Sequence, residues 1–197
     1  MANDSSNLVY KTKVNKSTGI WHTESDEEHI KDRKLCKNLI KYFKSQNAKS
    51  IVDCGCGAGY YVKDFIAENL NVKGYDGNPN TKKFNSNCDI LDLSKPYHKE
   101  KYDWVLSLEV GEHIPQKWET IFIENLVNFC ENGLIISWAI KGQGGSGHFN
   151  EQNNEYIKER ICSYGFTNDI ETEDMLRNDC SLRWFRKSIM VFKKNLT

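Results

Sequence analysis

The sequence lacks any uninterrupted apolar run near the roughly 18 residues that a membrane-spanning helix requires. Its amino terminus also lacks the charged-then-apolar pattern of a secretory leader. There is no excess of charge of either sign. The 27 Lys and Arg residues are matched by 27 Asp and Glu, so no overall field draws a polyanion or an anionic surface. A binder of long nucleic acid would therefore need a local basic patch to grip phosphates. Cys-x-x-Cys spacing is missing as well. The 7 cysteines, an odd number without a regular framework, read as free thiols in a reducing, cytoplasmic setting.

What is present suits one domain. The chain has 197 residues and a mean hydropathy of −0.66, polar for a globular protein, yet 9 Phe, 9 Tyr and 5 Trp supply bulk for a core. Residues 1–24 read as an amino-terminal arm, polar and without periodicity over 1–20, and 25–197 as the domain; no repeat or linker interrupts it. Ser25-Asp26-Glu27-Glu28 has the form of a capping box, followed by Leu35, Cys36, Leu39, Ile40 and Phe43 at helical spacing, which predicts a helix over about 26–45. Strands are expected at 50–53, 72–76, 88–92, 102–108, 133–140, from 165 and at 188–192, with helices over 60–69, 115–129 and 153–164. This alternation predicts a doubly wound, mostly parallel seven-stranded α/β sheet.

Asp53-x-Gly55-x-Gly57-x-Gly59 falls between the first of these strands and the helix that follows, where backbone amides can approach a ligand closely. A dinucleotide fingerprint would need glycine at 60, and Tyr60 stands there. The spacing instead resembles motif I of the class I S-adenosylmethionine-dependent methyltransferases. Asp76 ends the second strand, where that family holds both ribose hydroxyls; Asp89-Ile90 resembles its adenine-contacting pair, and Tyr102-Asp103-Trp104-Val105 its fourth strand. The resemblance implies that Asp53, Gly55, Gly57, Gly59, Asp76, Asp89, Ile90 and Leu108 bind S-adenosylmethionine. The plain alternative is a glycine turn that only packs a helix onto a strand.

The fourth strand runs into Glu109-Val110-Gly111-Glu112-His113, at the sheet edge where doubly wound folds bind ligands. Glu-x-x-Glu-His resembles the metal motif of small-RNA 3′-terminal 2′-O-methyltransferases and ubiquinone-type O-methyltransferases. His148, in the glycine-dense loop Gly142–Asn150, stands where the RNA enzymes carry a second histidine. The resemblance thus implies Glu109, Glu112, His113 and His148 as ligands of Mg²⁺ or Mn²⁺, a cation suited to oxygen and imidazole donors. Glu112, His113 and His148 would also serve catalysis, either histidine taking the hydroxyl proton. Alternatively, Glu112 caps the next helix and His113 is a packing residue.

Together these features lead to an S-adenosylmethionine-dependent O-methyltransferase acting on a vicinal diol of a sugar or glycan, with Trp21, Trp138 and Trp184 as candidate faces for a sugar ring. An RNA 3′ end or a quinol-type phenol is the alternative acceptor. An inactive cofactor-binding partner subunit is the alternative of another class. The chain reads equally as a whole protein or as a domain of a larger enzyme.

Overall fold

The computed structural model of the chain describes residues 13–196. Its strands in chain order are β1 (Lys13–Val14), β2 (Trp21–His22), β3 (Ile51–Cys54), β4 (Val72–Asp76), β5 (Cys88–Ile90), β6 (Tyr102–Ser107), β7 (Cys130–Ser137), β8 (Phe166–Asn168) and β9 (Ile189–Lys194). The helices are α1 (Arg33–Ser45), α2 (Tyr60–Ala67), α3 (Thr81–Phe84), α4 (Glu119–Phe129), α5 (Asn154–Cys162), α6 (Ile170–Asn178) and α7 (Phe185–Ser188).

Seven strands form one sheet in the order β5-β4-β3-β6-β7-β9-β8. The first five in that order run parallel, and β9 is antiparallel to both β7 and β8. Successive residues of the central strands serve opposite faces, as the strand period demands. Ile51, Trp104, Ile135 and Val191 join Leu35, Leu39 and Phe43 of α1, Phe65 of α2 and Leu176 of α6 on one face. Val52, Val105, Leu134, Ile136 and Phe192 pack against Phe122 and Leu126 of α4 and Ile157 of α5 on the other. Each such side chain contributes about 1.5–3 kcal/mol relative to exposure. The chain winds outward from β3 through β4 to β5, then returns to β6 on the other side. Ligands of open α/β sheets bind at this reversal, beyond the strands' carboxyl ends.

The start of the chain differs from its sequence reading. The residues expected to form a loose arm include a hairpin, with Lys13 opposite His22 and Val14 opposite Trp21; residues 1–12 lie outside the described part. The expected first helix is split. Asp26–Glu28 is a short 3₁₀ turn in which Ser25 Oγ accepts from Glu27 N at 3.2 Å, and His29 is extended. The helix begins only at Arg33, because buried Asp32 accepts from the amides of Lys34 and Leu35 at 2.9 and 3.0 Å and so supplies the cap. The α6 helix, which sequence reading passed over, is capped in the same way by Asp169 on Thr172 N.

Candidate active site

A cavity of about 320 Å³ opens at the carboxyl ends of β3, β4 and β6. Its floor is the turn after β3. Gly55, Gly57 and Gly59 have φ of +83°, +55° and +72°, a region closed to most L residues. A β-carbon at Gly55 would come within 2.3 Å of Val110, and one at Gly57 within 2.5 Å of His29 Nδ1. The amide of Gly57 donates to Asp76 Oδ2 at 2.8 Å, and Asn78 N donates to Asp76 Oδ1 at 2.7 Å. Asp76 is therefore fixed across the turn with lone pairs to spare. Asp53 is buried beneath it, and its Oδ2 has no hydrogen-bond partner among the described residues. Burial, with Asp76 nearby as a second negative group, pushes its carboxyl up to about 7.

The wall opposite comes from the end of β6. Glu112 is 0% exposed, and neither carboxylate oxygen has a partner among the described residues. Burial, and then Glu109, hold its carboxyl well above the usual range. One ligand atom each of Glu112, His113 and His148 lie within 4.8 Å of one another. Carbonyl oxygens only accept, so the 3.0 Å contact with Gly147 O places the proton on His113 Nδ1. His148 Nδ1 lies 2.9 Å from Glu151 Oε1. Each imidazole thus keeps Nε2, oriented by a partner on its other nitrogen as metal-binding histidines are. Burial lowers the His113 pKa to about 4, which favours the neutral ring that binds metals.

Glu109, expected as a fourth ligand, does not join them. Although it lines the cavity, Ser137 Oγ and Ser188 Oγ donate to its Oε1 at 2.8 and 3.3 Å, and Gln143 Nε2 donates to its Oε2 at 3.1 Å. Its φ of +54° turns the chain sharply out of the strand and aims the carboxylate at these donors. Asp89 and Ile90 also fall elsewhere. Both are on β5 but not on the cavity wall. Asp89 is held by Lys73 and Lys82, which bring its pKa down to about 2, and Ile90 is 55% exposed. The next Asp-Leu pair along the chain, Asp92 and Leu93, lines the cavity instead, and so does Leu108. The chain turns inward only after β5 ends.

The three candidate tryptophans separate. Trp138 is fully buried, its Nε1 donating to Asn150 O at 2.6 Å, so it is core and not a sugar platform. Trp21 and Trp184 line the cavity, and the Trp21 ring meets His113 edge-on at 4.9 Å. Sequence reading missed the strap from Thr18 to Ile30, whose two ends line the cavity. Ile20 packs where a Gly77 side chain would be, and Thr23 is tied down by Asn78 Nδ2 at 2.7 Å and Asn80 Nδ2 at 2.8 Å.

No protein-family model matches the chain. Among solved structures it is similar to magnesium protoporphyrin IX methyltransferase from Synechocystis PCC 6803, with a TM-score of 0.65 at 17% identity over 81% of this chain and 82% of that one. It is also similar to an S-adenosylmethionine-dependent methyltransferase from Clostridium acetobutylicum, with a TM-score of 0.65 at 9% identity over 86% and 94% of the two chains. The fold is that of the class I methyltransferases. The methyltransferase domain of bacterial CtHen1-C shares it, with a TM-score of 0.58 at 18% identity, covering 83% of this chain and 98% of that one. Among curated proteins, the chloroplastic tocopherol O-methyltransferase of Arabidopsis thaliana is 24% identical over 158 residues. The match covers 72% of this chain but only 45% of that protein, so the chain spans under half the length of this relative. No described helix is long and apolar enough to cross a membrane.

Proposed function

We propose that the chain transfers the methyl group of S-adenosylmethionine to a hydroxyl of a small, uncharged, ring-shaped acceptor, with a divalent cation held by Glu112, His113 and His148. The observation that carries this reading is Glu112. Its carboxylate is wholly buried without a partner among the described residues, beside two oriented imidazoles. An unpaired buried carboxyl is costly, and a cation there would convert that cost into affinity. When bound, Mg²⁺ or Mn²⁺ would lower the pKa of a coordinated hydroxyl.

The chain's own residues do the rest. Asp76, already placed by the Gly57 and Asn78 amides, would accept both ribose hydroxyls, and Asp53 would take the ammonium of the methionine end. The glycine turn lets the backbone lie close under the sulfonium. With Nε2 of His113 and of His148 taken up by the cation, the proton of the coordinated hydroxyl would leave to solvent. Trp21 and Trp184 give flat faces to a ring, and Ile30 and Phe185 help keep water out.

The lining has no lysine or arginine among the described residues, which favours a neutral acceptor over an RNA terminus. A vicinal diol of a sugar suits both the flat walls and a chelating cation. The tocopherol O-methyltransferase similarity lends support to a phenolic hydroxyl as the second reading. The test is transfer of labelled methyl to myo-inositol, glucose and catechol, with Mg²⁺ and with EDTA. Transfer that stops in EDTA while cofactor binding persists supports the proposal. Full turnover in excess chelator would remove the metal from it. Cofactor binding with no turnover on any hydroxylated compound would favour a binding module.

A further inference from the structure

The cavity is strongly acidic. Asp53, Asp76, Asp92, Glu109 and Glu112 all line it, with no lysine or arginine beside them among the described residues. The methionine end of S-adenosylmethionine carries a carboxylate as well as an ammonium. Asp53 suits the ammonium, but the carboxylate needs donors to offset the surrounding negative groups. The glycine turn offers few. Gly55 N and Cys56 N donate to Tyr75 O at 2.7 and 3.0 Å, Gly57 N to Asp76, and Gly59 N to Cys56 O at 2.8 Å. Three imidazoles line the cavity, and His113 and His148 belong to the cluster at the far end. The third is His29. It stands on the glycine turn, so close that Gly57 cannot carry a side chain. Its Nε2 lies 3.4 Å from Thr23 Oγ1, in the part of the strap that Asn78 and Asn80 anchor.

We propose that His29 is a cofactor-binding residue whose imidazole N–H donates to the carboxylate of the methionine end, across the cavity from the hold of Asp53 on the ammonium. The inference rests on the cofactor reading above and adds the strap to that site. The probes are S-adenosylhomocysteine and its methyl ester, whose carboxyl end is uncharged and one methyl larger. Calorimetry on the wild-type chain should show the ester binding about ten- to hundredfold more weakly, the size of a charge-assisted hydrogen bond. In His29→Phe, which keeps a ring over Gly57, S-adenosylhomocysteine should fall to the level of the ester, and the ester should be unchanged. If the melting curve shows that His29→Phe does not fold, His29→Ala gives the same comparison. A variant that still distinguishes acid from ester overturns the role of His29. A wild-type chain that binds neither overturns the cofactor reading itself, and this inference with it.

Discussion

Asp76 and Glu112 close the two ends of one cavity, and the fold treats them oppositely. Asp76 receives two backbone amides from its own neighbourhood, and its oxygens are placed before any ligand arrives. Glu112 is sunk among buried groups with no hydrogen-bond partner on either oxygen among the described residues, and burial, with Glu109 nearby, disfavours its ionised form. A carboxylate that the backbone satisfies is ready to recognise neutral hydroxyls. One that the backbone leaves unsatisfied is suited to a cation that supplies the missing charge.

Substitutions at the two ends should therefore fail differently. The largest effect is expected for Glu112→Gln. Single-turnover rates should fall by about a thousandfold, since an activating cation supplies several kcal/mol to the transition state. Manganese binding followed by electron paramagnetic resonance should fall with it, while the metal-free melting temperature holds, because an amide of the same shape replaces the carboxyl without adding a buried charge. A large drop in that temperature would show Glu112 to be structural.

Asp76→Ala should act on the cofactor alone. Its loss removes a charge-assisted acceptor worth about 1.5–3 kcal/mol and frees the Gly57 amide. Calorimetry should show weaker S-adenosylhomocysteine binding and unaltered manganese binding. If manganese affinity falls equally, the two ends are not independent.

Asp53 gives a subtler effect because its sign depends on pH. Its folded-state pKa of about 7 lies above the unfolded value, so the folded chain binds more protons between the two. Stability is therefore lost as pH rises through that window, and the full cost is present above it. Asp53→Asn should raise the melting temperature of the free chain at pH 8, change it little at pH 4, and weaken S-adenosylhomocysteine. An equal gain at both pH values would mean that the ionised carboxylate is not what costs stability. The smallest effect belongs to His98→Ala. His98 is exposed and bonded only to Asn128 among the described residues, so stability, turnover and metal titration should stay within about 0.5 kcal/mol of the parent.

The two ends also differed in how much of them the sequence disclosed. Gly55, Gly57 and Gly59 were legible with Asp53 and Asp76 because positive φ restricts that turn to glycine and strand length sets where each carboxylate emerges. Asp89-Ile90 and Asp92-Leu93 look alike in sequence, each an aspartate before an apolar residue, and only the point where β5 turns inward separates them. Glu109 looked like a ligand until Ser137, Ser188 and Gln143, all distant in sequence, were found on its oxygens. The strap was not legible. Its one strand, β2, and the strand β1 with which it pairs are two residues each, too short for any period to show, and His29 carries no local mark beyond being a histidine.

The buried indole of Trp138 has a consequence for design. Its ring lies where a β-carbon on Gly111 would come within 2.2 Å, and its Nε1 ties down Asn150, whose side chain reaches Glu119 at 2.8 Å. Gly111 immediately precedes Glu112 and His113, while Asn150 closes the loop that carries His148. The ring acts together with the amides of Phe149 and Asn150, which donate to Glu112 O at 2.8 and 2.9 Å, to set the gauge between the two halves of the cluster, as a spacer sets the gap of a jaw. A smaller residue at 138 would leave every proposed ligand in the chain yet remove the indole's support from the gap between them. Any transplant of Glu-Val-Gly-Glu-His onto another sheet would need that indole carried along with it.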